Sequence, residues 1–290
     1  MNNVAGDPGL PAGQIIELAG RGRTHVRYIA GPPGAATVLL LHGWFVNADL
    51  NWFHSYEPLS EHYNVVALDH RGHGQGIRSS KRFSLEDAAD DAAALLDLLG
   101  IDSCIAAGYS MGGPIAMNLW RRHPDRVQAM VLCATAPNFT PTRAEQTRFR
   151  LLGPIARATR RVPAAMTQRA FERLLDWRIG SIKFNPWMRK QILAGDPGIV
   201  LEAGYDLGRF NSCDWIGGID PSTPVSVVVV TDDTMVPPAR QRSLADSIPH
   251  AVTFQATGTH DTPVLHPSKF LPPFLSAVAH AAVSPAPFVS

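Results

Sequence analysis

Two hydrophobic patterns alternate along most of this chain and predict its secondary structure. Largely apolar runs occur at residues 37–41, 64–68, 104–107, 127–133 and 225–230. Runs of this length without polar alternation are typical of strands buried on both faces of a sheet. Between two of them, apolar residues recur at helical spacing from Leu85 to Leu99. Alternating segments of this kind favour an α/β fold, with a mostly parallel sheet and helices on both of its faces.

The two ends of the pattern extend the sheet. Residues 14–19 and 25–30 are β-compatible runs separated by a glycine-containing turn, which predicts an N-terminal hairpin. Towards the other end, the pattern predicts a helix over 238–247, a short strand over 252–255 and a closing helix over 267–280.

The interval between the last two long apolar runs, residues 137–223, is helix-like and rich in arginine. It is too long for a plain strand-to-helix connection, so we expect an inserted helical cap. The predicted division is therefore a discontinuous core over 14–136 and 224–282 with a cap over 137–223. The aromatic residues of the cap either form a small core of their own or face a substrate; they are Trp177, Phe184, Trp187, Tyr205, Phe210 and Trp215.

Composition narrows the possible partners and compartment. The 290 residues include 26 Lys plus Arg against 25 Asp plus Glu. This balance argues against nucleic acid or an anionic membrane as partner. Three cysteines do not form a disulfide framework, and the N-terminal residues do not resemble a signal peptide. We therefore expect a cytoplasmic protein without a membrane span.

The chemistry of the chain centres on Gly108–Tyr109–Ser110–Met111–Gly112, which joins an apolar run to a helical pattern. G-x-S-x-G at the corner between a strand and a helix is the pattern of a nucleophile elbow. Such a turn lifts the Ser110 hydroxyl above the end of the strand. Ser110 is therefore the candidate nucleophile.

A serine nucleophile needs a base, and the base needs an acceptor that fixes its tautomer. Two adjacent carboxylates follow the apolar run at 225–230, and Asp233 is the preferred acid, with Asp232 as the alternative. His260 lies in a turn-rich loop after the last short strand and is the preferred base, with His266 as the alternative.

With these residues in place, the sequence resembles the α/β-hydrolase family over nearly its whole length. The resemblance rests on His42–Gly43–Trp44–Phe45, the D-x-R-G-x-G turn at 69–74, the elbow, and the Asp233 and His260 loops in the order Ser, Asp, His. It implies an eight-stranded sheet with a cap after the sixth strand. It also implies an oxyanion hole formed by the backbone N–H groups of Trp44 and Met111.

The function predicted from these features is cleavage of a small-molecule carboxylic ester through an acyl-enzyme, without a metal or organic cofactor. Aspartate-dependent relatives, the epoxide hydrolases and haloalkane dehalogenases, are set aside because a serine stands at position 110. Lactonase, acyltransferase and C–C bond hydrolase remain alternatives on the same triad, and a non-catalytic binder of small molecules is a further one. The C–C reaction would need basic groups such as Arg160, Arg161 or Arg178 to hold a dicarboxylate.

Three further histidines are expected to have structural roles near the predicted site. His42 is expected to brace the oxyanion loop, whereas His70 and His73 belong to a turn and are expected to be structural. A metal site built from these three residues is disfavoured because acidic or cysteine ligands do not accompany them at ligand spacing.

Overall fold

An eight-stranded sheet forms the centre of the molecule. The computed structural model describes residues 6–179 and 185–283, with the side chains of 177–179 left aside. The strands are β1 Gln14–Leu18, β2 Gly22–Ile29, β3 Thr37–Leu41, β4 Asn64–Leu68, β5 Cys104–Tyr109, β6 Val127–Cys133, β7 Val225–Val230 and β8 Val252–Ala256. The helices are α1 Ala48–Trp52, α2 Tyr56–Ser60, α3 Leu85–Leu98, α4 Gly112–Arg122, α5 Arg143–Thr159, α6 Ala164–Ile179, α7 Pro186–Leu193, α8 Pro197–Leu207, α9 Pro238–Asp246, α10 Thr262–Leu265 and α11 Pro267–Ala282.

The order of the strands is β1-β2-β4-β3-β5-β6-β7-β8. The β1–β2 hairpin is antiparallel and joins β4 in antiparallel register, and the remaining neighbours are parallel. Because the carboxyl ends of parallel strands meet at one edge, the loops after β3, β5, β7 and β8 converge there. This edge carries all of the residues predicted to be catalytic.

Apolar layers cover both faces of the sheet. In β3, Leu39 and Leu41 point into the layer that contains α3, α4 and α9, whereas Val38 and Leu40 point into the layer that contains α1, α2 and α11. All four side chains are fully buried. Burying one such side chain contributes about 1.5–3 kcal/mol, which explains why four of the five residues of β3 are apolar.

Helices α5 to α8 lie between β6 and β7, in the interval for which the sequence predicts a cap. Ile199, Ala203 and Leu207 of α8 are buried in the same apolar layer as α3 and α4. Trp187 of α7 instead packs against Leu50 in the middle of α1. The interval is therefore attached to the sheet domain through apolar contacts at two places.

The predicted aromatic residues of this interval have different surroundings. Phe210 and Trp215 pack against the apolar layer that contains α8, and Tyr205 is half-buried beside α5. The side chain of Trp177 and the whole of Phe184 lie outside the described residues.

The observed elements confirm the predicted fold class, an eight-stranded and mostly parallel sheet flanked by helices. The segment between β3 and β4 contains two short helices, α1 and α2. The division into a core and a cap remains a prediction. Within residues 6–179 and 185–283, no helix is both long enough and apolar enough to cross a membrane.

Candidate active site

Ser110 occupies a tight turn between β5 and α4. Its backbone φ is +53°, a left-handed conformation that non-glycine residues seldom adopt. The neighbouring glycines make the turn possible, because a Cβ on Gly108 would lie 2.2 Å from the carbonyl oxygen of Gly112, and one on Gly112 would lie 2.0 Å from that of Leu41. The elbow predicted from G-x-S-x-G is thus present in the backbone.

The neighbouring strand β6 holds this strained turn in place. The Ser110 N–H donates to the carbonyl oxygen of Cys133 at 2.9 Å, and the Thr135 hydroxyl donates to the carbonyl oxygen of Ser110 at 2.8 Å. Bonds of this kind to a residue with an uncommon backbone conformation offset the cost of that conformation, typically about 1–3 kcal/mol.

Asp233 and His260 meet at the ends of β7 and β8. The distance between His260 Nδ1 and Asp233 Oδ2 is 2.6 Å, within the range of a charge-assisted hydrogen bond. Asp233 Oδ1 accepts from the backbone N–H groups of Met235 and Val236 at 2.8 and 2.9 Å. The Asp233 carboxylate is therefore fixed in orientation, with one oxygen facing the protein backbone and the other facing the imidazole.

The alternative residues lie elsewhere. Asp232 is exposed, and its carboxylate accepts from the hydroxyl of its neighbour Thr231. His266 is exposed at the start of α11. The geometry thus brings the preferred acid and base together and leaves both alternatives at the surface.

Two supporting residues at this pair were not found from the sequence. Gln241 of α9 is fully buried, and its amide donates to Asp233 Oδ2 at 3.2 Å while accepting from the Val230 N–H at 2.8 Å. The Tyr109 hydroxyl donates to the backbone carbonyl of His260 at 2.8 Å. A polar residue on the apolar face of α9 is the one signal that could have identified Gln241.

The loop after β3 lies directly beside the elbow. A Cβ on Gly43 would come within 3.4 Å of Ser110 Cβ. The Gly43 N–H donates to Asn51 Oδ1 at 2.9 Å, and the Trp44 indole N–H donates to the carbonyl oxygen of Val200 at 2.7 Å. These bonds fix the loop at Gly43 and Trp44, the first to α1 and the second to α8.

The backbone N–H groups of Trp44 and Met111 make no hydrogen bond to any described residue. The Met111 N–H stands at the start of α4, where the positive end of the helix dipole lies. Unpaired N–H groups beside a serine are suited to donate hydrogen bonds to a negatively charged oxygen. Within the described part of the chain, the Ser110 hydroxyl also makes no hydrogen bond. Hydrogen bonds between a nucleophile and its base are often long until a substrate binds.

His42, His70 and His73 form a buried cluster behind this loop. His42 Nδ1 lies 2.8 Å from the carbonyl oxygen of Gly43, and its Nε2 accepts from the His70 N–H at 2.9 Å. Burial, reinforced by the two neighbouring histidines, lowers the pKa of His42 well below its usual value. His42 is thus neutral and carries its proton on Nδ1, which fits the expected brace.

The basic groups considered for gripping a dicarboxylate are differently placed. Arg160 forms an ion pair with the buried Glu202 at 2.8 Å, and Arg161 is exposed. The side chain of Arg178 lies outside the described residues. Among the residues that are described, no group of three or more His, Cys, Asp or Glu side chains is arranged to hold a metal ion.

The sequence and the fold are both similar to those of known proteins. The family model for the alpha/beta hydrolase fold matches residues 36–267. A thermophilic esterase from Thermogutta terrifontis superposes with a TM-score of 0.74 at 22% sequence identity, covering 94% of this chain and 100% of that one. At such an identity, the structural likeness shows the fold alone.

Curated relatives match over different lengths. The dihydrolipoyllysine-residue acetyltransferase component of the acetoin cleaving system from Pseudomonas putida is 35% identical over 128 residues, covering 43% of this chain and 33% of that protein. This chain thus spans about a third of that relative's length. A Caulobacter vibrioides protein provisionally named the carbamate hydrolase RutD is 26% identical over 257 residues, covering 85% of this chain and 91% of that protein.

Proposed function

Because the chain belongs to the alpha/beta hydrolase fold family, we propose that it is a serine hydrolase that cleaves carboxylic esters through an acyl-enzyme. In this proposal Ser110 is the nucleophile, His260 the base and Asp233 the acid. The observation that carries it is the 2.6 Å contact between His260 and Asp233 at the edge where the strained Ser110 turn also lies.

The contact between His260 and Asp233 determines which nitrogen of His260 carries the proton. Asp233 Oδ2 accepts a hydrogen bond from the protonated Nδ1 of His260, which leaves Nε2 unprotonated and able to act as a base. His260 Nε2 takes the Ser110 proton as the serine oxygen attacks the ester carbonyl. The same proton then passes to the departing alcohol, and an acyl group remains on Ser110.

Charge that develops on the carbonyl oxygen is assigned to the N–H groups of Trp44 and Met111. Loss of one such donor typically costs about 3 kcal/mol of transition-state stabilisation. The acyl-enzyme is then hydrolysed by a water molecule that His260 activates, which releases the acid. Every step uses groups of this chain, a small-molecule ester and water.

The ester is the substrate class that demands least beyond this arrangement. A thermophilic esterase has the same fold, so an ester is compatible with that fold. A dicarboxylate substrate is less well supported, since Arg160 is already paired with Glu202.

The proposal is tested with p-nitrophenyl esters of graded acyl length and with the Ser110→Ala variant prepared in parallel. We expect the wild type to hydrolyse short esters and the variant to fall to the background rate. A fluorophosphonate probe, located by mass spectrometry of tryptic peptides, should label Ser110 and no other serine.

The two readouts separate the alternatives. Labelling of Ser110 without ester turnover would leave the nucleophile in place and transfer the function to lactones, C–C bonds or acyl transfer. Neither labelling nor turnover, in a protein whose thermal unfolding is normal, would contradict the serine hydrolase and favour a non-catalytic binder.

A further inference from the structure

A basic groove lies on α5 and α8. We call it the α5–α8 groove and define it by its lining residues, Arg150, Pro154, Arg157, Tyr205 and Arg209. Its cavity volume is about 470 Å³. Three of these five residues are arginines and none of them is acidic.

The floor of the groove is built by close packing between the two helices. A Cβ on Gly153 of α5 would lie 2.9 Å from the Tyr205 ring, so the ring rests against the backbone of α5. The guanidinium groups of Arg82 and Arg209 lie 5.6 and 5.5 Å from the centre of that ring. Tyr205 therefore holds cations in place at the groove.

The three groove arginines form no ion pair with a described carboxylate, which is also true of Arg148 and Arg161. On the same helix pair, Arg160 is paired with Glu202. In contrast, Arg150, Arg157 and Arg209 have no carboxylate within 4.0 Å among the described residues. Residues 143–179, which include α5 and α6, contain nine arginines and three carboxylates, although the whole chain has a net charge of only +1.

Unpaired guanidinium groups that share a groove repel one another and attract anions. Guanidinium forms bidentate, charge-assisted hydrogen bonds with phosphate oxygens, and several arginines together suit a ligand with more than one negative charge. The groove thus has the donors for two linked phosphate groups.

An adjoining pocket extends the groove and shares Arg150, Tyr205 and Arg209 with it. Its cavity volume is about 280 Å³. Its remaining walls include amide and aromatic side chains, which are those of Asn138, Gln146, Asn211, Phe149 and Phe210. Such walls suit an uncharged, flat polar group attached to the phosphates.

We propose that the α5–α8 groove binds a soluble organic diphosphate, with its phosphates on Arg150, Arg157 and Arg209 and its uncharged part in the adjoining pocket. Phe149 lines that pocket and also packs against Trp44, with 6.0 Å between the ring centres. Neither lining includes Ser110, and it is the adjoining pocket, through Phe149, that contacts the loop carrying Trp44.

The test is isothermal titration of the full chain with ADP at fixed ionic strength, since salt screens such contacts. The double variant Arg150→Ala/Arg157→Ala removes two groove cations. The matched control Arg148→Ala/Arg161→Ala removes the same charge from the same helical region but from residues outside the groove. We expect ADP to bind the wild type and the control with similar affinity and the groove variant at least tenfold more weakly.

Additional arms make the result specific. Adenosine should not bind, because it lacks phosphate, and the Ser110→Ala variant should bind ADP as the wild type does, whatever its activity. Equal losses in both double variants would overturn the proposal by showing a diffuse effect of charge. Failure of ADP to bind would also overturn the proposal, and binding of phosphatidylglycerol vesicles in that case would show that a lipid headgroup is the occupant.

Discussion

Asp233 and Asp232 are adjacent and chemically identical, so only their surroundings in the fold distinguish them. Asp233 is buried and bonded to His260, Met235 and Val236, whereas Asp232 is exposed. The sequence could only rank them, because a shift of one residue in the loop after β7 reverses which carboxylate points inward. Their roles can be separated by substitution.

Asp233→Asn is expected to lower kcat by about 10³- to 10⁴-fold. The two backbone N–H groups that bind Oδ1 will hold the amide oxygen of the asparagine, so its NH₂ group faces His260. His260 must then accept on Nδ1 and carry its proton on Nε2, where it cannot act as a base. Initial rates on a p-nitrophenyl ester measure the effect.

Asp232→Asn is the matched control, because it makes the same chemical change one residue away. We expect little change in kcat. A larger loss for Asp232→Asn than for Asp233→Asn would assign the acid to Asp232.

The buried histidine cluster leads to a prediction about stability. Burial lowers the pKa of His73 to about 4, compared with about 6.5 in an unfolded chain. Between these values the unfolded state binds more protons than the folded state, so His73 makes stability fall as the pH is lowered from about 6.5 to 4. The contribution lost by pH 4 is about 3 kcal/mol.

His73→Asn keeps a donor for the carbonyl of Arg71 and removes the titrating group. We expect the variant to lose less stability than the wild type between pH 7 and pH 4, as measured by urea unfolding. The buried Asp69, whose pKa is raised to about 6, acts in the opposite direction but is present in both proteins and cancels in the difference. Parallel pH curves for the two proteins would contradict the linkage.

At the scale of elements, the sequence predicted strands and long helices well and failed on contacts between distant segments. A short and largely apolar run such as β3 leaves few alternatives to a buried strand. The bonds of Trp44 to Val200 and of Phe83 to Glu202 join residues more than a hundred positions apart. No local periodicity encodes such pairs, because they depend on where whole helices pack.

The hydrogen bonds of Glu202 connect α8 to residues that are distant in the sequence. Its carboxylate accepts from the Phe83 N–H at 3.0 Å and from the Arg160 guanidinium at 2.8 and 2.9 Å. Glu202→Gln places a buried amide NH₂ group against the N–H groups that the carboxylate bound. Because the Arg160 side chain is partly exposed, water can solvate its charge, which reduces the loss of stability. We expect a loss of about 1–3 kcal/mol in the free energy of unfolding, measured by denaturant titration.

The exposed pair between Arg189 and Asp176 supplies the comparison. Asp176→Asn breaks an ion pair that water already solvates, so we expect a loss of no more than about 0.5 kcal/mol. Equal effects of Glu202→Gln and Asp176→Asn would show that burial of Glu202 adds nothing to the bond.

At the scale of the whole molecule, the predicted cap boundary at residues 137–223 suggests a separate unit, whereas the packing of the described chain joins this interval to the sheet. A cap that is inserted in the sequence could unfold by itself if it had its own core. Instead, Ile199, Ala203 and Leu207 are buried together with residues of α3 and α4. We therefore expect α8 and the sheet to unfold together.

Leu207→Ala tests this coupling, because its side chain is 3% exposed on α8. Deleting a buried leucine side chain costs about 2–5 kcal/mol, and here the loss should lower a single calorimetric transition of the whole chain. Leu151→Ala on α5, where the leucine is 57% exposed, should change stability by no more than about 0.5 kcal/mol. A separate low-temperature transition in Leu207→Ala, with the main transition unmoved, would instead mean that residues 137–223 fold as an independent unit.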